Sequence, residues 1–68
     1  MKLSGILNAV QDGVLVTIKD YCSGNILFNL CEVKDIIDTA LYSVRKDNLV
    51  YIVTPGKSFH DYVIEILN

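Results

Sequence analysis

The chain has no tryptophan, a single proline and a single histidine, and only two cysteines. It carries no run of Lys and Arg, and no apolar run near the roughly 18 residues that span a bilayer. Each scarcity excludes something. Eight acidic against six basic side chains leave a net charge of −2, and without a basic stripe the electrostatic footprint of nucleic-acid binding is missing. Tyr21 near Lys19 is one aromatic–cation pair, which is not a stacking platform for bases. Lys2 alone is a poor charged start for a signal peptide, and Ser4, Gly5 and Asn8 interrupt the apolar stretch behind it. The expectation is a cytoplasmic protein with no membrane segment, whose thiols stay reduced.

What is abundant is apolar side chain, at 51% of 68 residues. A chain this short is one domain, residues 1–68, and buries only about 60% of the surface that its unfolded form exposes. A thin core and a large apolar share pull against each other. The surplus points to a surface for another chain, so a homo-oligomer or a tight protein partner is expected.

Leu3, Ile6, Leu7 and Val10 recur at helical spacing, with Gly13 as a stop. Residues 14–19 alternate as a strand. "DYCSGN" makes a turn through Gly24 and Asp20, and "ILFNLC" returns as a second strand, giving a hairpin over 14–31. "EVKDIIDTALY" places Val33, Ile36, Ile37, Ala40 and Leu41 on one helical stripe. "YSVRKDNLVYIVT" reads as a second hairpin turning at Asp47-Asn48, with the choice of its buried face left open. "SFHDYVIEILN" sets Phe59, Tyr62, Val63, Ile66 and Leu67 at i, i+3, i+4, i+7, i+8, which predicts a closing helix. The expected order is α-β-β-α-β-β-α. The expected fold is a small α+β domain, a four-stranded antiparallel sheet of two hairpins with packed helices.

Gly56-Lys57-Ser58, between strand and expected helix, resembles the end of a phosphate-binding loop. That loop needs G-x-x-x-x-G-K-[ST], so that successive backbone N–H groups wrap the phosphates. Tyr51 stands where the first glycine is required, and Pro55 removes one donor. The plainer reading is a Pro55-Gly56 turn and a Ser58–Asp61 capping box opening the last helix. No nucleotide or other cofactor is implied.

Other groupings are as thin. In the first hairpin Cys22 lies at the tip and Cys31 near the base, more than roughly 20 Å apart at about 3.3 Å per residue. A disulfide needs Cα atoms within about 7 Å, so an exposed thiol at 22 and a small buried side chain at 31 are expected. Two cysteines and a distant His60 do not make a zinc site. His60 with Lys57, Ser58 and Asp61 falls within one turn rather than converging from separate elements, and Asp35 with Asp38 reads as a wet helix face. No metal and no enzymatic activity are expected. The tyrosines remain: so small a core cannot bury them all, and tyrosine is enriched in protein interfaces. Tyr21, Tyr42, Tyr51, Phe59 and Tyr62 are the candidate interface residues.

"MKLSGIL", "VTIKDYCSGNILF", "VKDIIDTAL" and "NLVYIV" together give a layout that resembles short proteins of bacteriophages and mobile elements of Gram-positive bacteria. In those, an M-K-L-x-x-[IL]-L helix precedes a D-x-x-[ST]-G-x-[IVL]-[LF] hairpin, a short acidic helix and a further hairpin. The pattern covers most of the chain, contains no catalytic residue, and lacks the closing segment from Ser58. The resemblance implies an accessory protein that acts by contact with a host protein. The expected function is therefore a non-enzymatic, oligomeric interaction module, with a nucleic-acid accessory role as the alternative.

Overall fold

The structure, a computed structural model, describes residues 1–58 and 60–68. Its elements are α1 (Leu3–Ala9), β1 (Leu15–Asp20), β2 (Ile26–Glu32), α2 (Val33–Ile37), α3 (Ala40–Arg45), β3 (Val50–Pro55) and β4 (Asp61–Ile66). The fold is α+β. The four strands form one sheet in the order β2-β1-β4-β3. β1–β2 and β3–β4 are antiparallel, whereas β1 and β4 run parallel at the centre. The sheet is thus mixed, and the expectation of a purely antiparallel one is corrected.

Two elements account for that difference. The expected closing helix is the strand β4. "DYVIEI" satisfies period 2 as well as period 3.6: Tyr62, Ile64 and Ile66 share one face, Asp61, Val63 and Glu65 the other. Tyr, Val and Ile suit a pleated surface better than a helix, and a strand paired on both sides carries more apolar residues than an edge strand. The expected hairpin around Asp47-Asn48 is likewise absent, because residues 40–45 are helical. Thr39 decides this locally. Its Oγ1 accepts from the Tyr42 N–H at 3.1 Å as an N-cap and donates to the Ile36 carbonyl at 2.7 Å, tying α2 to α3. β3 then pairs with β4 instead of with residues 42–46, and the order becomes α-β-β-α-α-β-β. The Ser58–Asp61 capping box does not form, since Asp61 lies in a strand.

The core is one layer. Leu3 and Leu7 of α1 and Ile36 of α2 cluster with Val16 and Ile18 of β1 and Ile64 and Ile66 of β4, all buried. These strand residues alternate onto one face, so the helices cover that face. The first hairpin forms as expected, with Asp20 accepting from the Cys22 N–H at 2.9 Å in its turn and Gly24 at φ +76°. Register shifts interrupt β2 twice, between Val16/Ile18 and between Ile18/Lys19 of its partner. At the first shift Leu30 adopts φ +51°, and its N–H donates to Thr17 Oγ1 at 3.2 Å. Such a bulge bends the strand and re-aims the side chain. No helix among the described residues is long and apolar enough to cross a membrane.

Candidate functional site

The second face of the sheet has no described helix over it. Strand pairing places Leu15, Thr17 and Lys19 of β1 there, with Asp61, Val63 and Glu65 of β4, Ile52 and Thr54 of β3 and Ile26 of β2. Ile26, at 57% exposure, together with Leu30, Tyr21, Tyr51 and Ile52 leaves large apolar surface open on or beside this face. The fully buried apolar side chains all lie on the helix side, although Val53 and Tyr62 there are also exposed.

One end of this face is aromatic. Tyr21 follows β1, and its N–H donates to the Ile66 carbonyl at 2.9 Å, holding it beside the sheet. Tyr51 lies at the register shift between Val50 and Ile52. The two rings stack with centroids 4.1 Å apart and planes tilted by 31°. A hydrogen bond with the Tyr51 side chain, followed by charge repulsion from Tyr51 and Glu65, raises the Tyr21 hydroxyl above its ordinary pKa. Beneath this end Asp20 is buried and well satisfied. Its Oδ1 accepts from the Cys22 and Ser23 N–H groups, and its Oδ2 lies 3.6 Å from Arg45 Nη2. Arg45 also donates to Asn68, so α3, β1 and the segment after β4 meet at one guanidinium.

The other end is a cleft of about 290 Å³ between the β2 bulge and the β3–β4 turn. Ile26, Leu30 and Val63 form apolar walls, and Thr17, Asn29 and Asp61 bring polar groups. Asp61 is 7% exposed. Its Oδ2 accepts from the Lys57 N–H at 3.0 Å, while its Oδ1 is buried with no hydrogen-bond partner among the described residues. Leaving such an oxygen unpaired costs about 1–3 kcal/mol, and more when the group is charged. Gly56 has no side chain for a direct reason: a Cβ there would overlap the Asp61 carboxylate. A separate cleft of about 400 Å³ on the helix side, lined by Ile6, Val10, Val14, Val53 and Tyr62, holds no buried polar group of this kind.

The five candidate interface residues separate accordingly. Tyr21 and Tyr51 come together on the open face. Tyr62 is exposed, but its register with Pro55 and its parity with Ile64 put it on the helix side. Tyr42, half buried, packs against the core from α3. Phe59 lies outside the described residues. Thr17, Leu30 and Asp61 were not among the sequence candidates, because their meeting depends on the β1–β4 pairing and the bulge. The one available signal was a Pro-Gly step followed by an acidic residue at a strand start.

Both cysteines are free thiols, Cys22 exposed and Cys31 half buried. Among the described residues no three His, Cys, Asp or Glu side chains are grouped to hold a metal ion. No family model, no curated protein and no solved structure matches the chain.

Proposed function

We propose that this protein is a non-enzymatic interaction module that works by contact, with the helix-free face of its sheet as the working surface. One observation carries the reading: Tyr21, Tyr51, Ile52, Ile26 and Leu30 are left open on or beside that face, whereas the opposite face carries the buried core. Tyrosine supplies large contact area at low entropic cost, and interface cores favour it. Self-association through this face, or contact with a different protein, gives the apolar surface its cover. A cytoplasmic setting and an accessory role of the kind suggested by the phage-like layout belong to the same proposal.

Ile52→Lys tests it by placing a charge on this face, in the edge strand β3, without touching the core. The parent is expected to show more than monomer mass by light scattering at micromolar concentration, and the variant monomer mass. A parent that stays monomeric at all accessible concentrations, or an oligomer indifferent to Ile52→Lys, overturns self-association through this face.

The Tyr21–Tyr51 stack on a sheet favours a second reading, a platform for single-stranded nucleic acid. Charge argues against it. Of six basic side chains, Lys2, Lys34 and Arg45 are engaged by Asp47, Glu32 and Asp20 at three separate places. Anisotropy titration with a labelled single strand at low salt separates the two. Salt-sensitive binding lost in Tyr51→Ala supports the platform, and its absence removes it.

A further inference from the structure

We infer that the Asp61 cleft receives a basic side chain, arginine or lysine, from a partner polypeptide, and so anchors that partner on the open face. The inference rests on the interaction reading and adds the chemistry of the contact. The first observation is the cleft itself, about 290 Å³ in volume, with Ile26, Leu30 and Val63 as walls. These suit the methylene stem of Lys or Arg, which packs along apolar surface while its head stays polar. The second, independent observation is the carboxylate. Asp61 is more than nine-tenths buried, lines this cleft, and keeps one oxygen without a donor among the described residues.

The surrounding groups sharpen the choice of ligand. Thr17 Oγ1 accepts one hydrogen bond, from the Leu30 N–H, and retains a second lone pair. Asn29 adds a side-chain amide at the wall. Both side chains can also donate, so the preference for a cation rests on Asp61, the one buried carboxylate in the lining. Lys57 stands at the rim, but its ammonium makes no ion pair with Asp61 among the described residues. The net charge of −2 draws a basic partner and repels an acidic one. A polypeptide rather than a free cation is favoured because the cleft opens onto the same face as Tyr21, Tyr51 and Ile52, where a longer partner continues its contact.

Amide NMR titration of the whole protein with blocked tripeptides tests this: Gly-Arg-Gly, Gly-Lys-Gly, and Gly-norleucine-Gly as the neutral isostere. The basic peptides are expected to shift the Thr17, Leu30 and Lys57 amides saturably, with the norleucine peptide at least about tenfold weaker. Asp61→Asn keeps an acceptor for the Lys57 N–H and should weaken the basic peptides by about tenfold or more. Should that variant fail to fold, Leu30→Gly removes one wall at a φ that glycine adopts freely, and should also lower affinity. Equal binding of the norleucine peptide, shifts elsewhere, or no saturation overturns the inference. Methylguanidinium binding as tightly as the arginine peptide overturns the polypeptide part. A failed titration alongside an intact Ile52→Lys effect refutes the cleft alone, whereas the reverse result refutes self-association and leaves the cleft standing.

Discussion

Gly56→Ala isolates a single contact. In this chain only Gly13 and Gly24 among the glycines have positive φ, so the backbone at Gly56 is open to alanine. By the unfolded-state argument alone, alanine should stabilise by about 0.4–1 kcal/mol. The structure predicts the opposite sign, because the new Cβ would overlap the carboxyl carbon and both oxygens of Asp61. Displacing that buried group loses its hydrogen bond from the Lys57 N–H, worth about 1.5–3 kcal/mol for a charged acceptor. Crowding adds about 1–3 kcal/mol. Relaxation trims the sum, leaving an expected loss of about 2–4 kcal/mol. At about 4–8 °C per kcal/mol for a domain of this size, the Tm falls by about 8–32 °C. Total stability for 68 residues is only about 3–10 kcal/mol, so the change is large. The control is the same substitution in an Asp61→Ala background, where nothing remains to collide and Gly56→Ala should become neutral or stabilising. Urea denaturation followed by far-ultraviolet circular dichroism measures all four proteins. A Gly56→Ala penalty within about 0.5 kcal/mol of zero, or one of equal size in both backgrounds, refutes the reasoning.

Ile64→Ala should destabilise by about 2–5 kcal/mol, since Ile64 is fully buried in a central strand. Val63→Ala should matter less, and the reverse ranking in the same denaturation assay would restore the helical spacing for this segment. Tyr51→Phe should lower the Tyr21 titration midpoint toward the ordinary tyrosine value, read from phenolate absorbance during an alkaline titration. The sign follows from a folded-state pKa raised above the unfolded one. The associated stability is complete below the unfolded pKa, near 10, and is lost as pH rises through the folded value. Identical Tyr21 midpoints in parent and variant would remove Tyr51 as the cause.

Local signals were legible where one period dominated. Residues 14–31 alternate and carry Asp20 and Gly24 at the turn, and Leu3 and Leu7 mark the buried stripe of α1 without a rival pattern. The second half is ambiguous for a physical reason. "DYVIEIL" fits a helix face and a strand face equally, and only pairing with β1 on one side and β3 on the other selects the strand. "YSVRKDN" alternates like a strand, yet the Thr39 cap and its link to Ile36 turn it helical. The site suffers most from this. Tyr21 and Tyr51 were suspected as exposed aromatics, but their stacking depends on strand order. Asp61 carried a helix-capping role in the sequence and proves to be a buried carboxylate in a sheet, although in both settings its side chain accepts from a backbone N–H.

The parallel pairing of β1 with β4 also governs the order of events during folding. β1 finds its second neighbour only among residues 61–66, about two thirds of the chain's length away. The first hairpin and its helices can assemble early, but until β4 arrives β1 is an unpaired edge bearing Val16 and Ile18. Contacts of such long sequence separation slow folding, and exposed strand edges in partly folded states invite association. A nascent chain waiting for its last strand therefore presents a sticky intermediate. The time spent there, rather than the stability of the finished sheet, governs how long that edge is open to association.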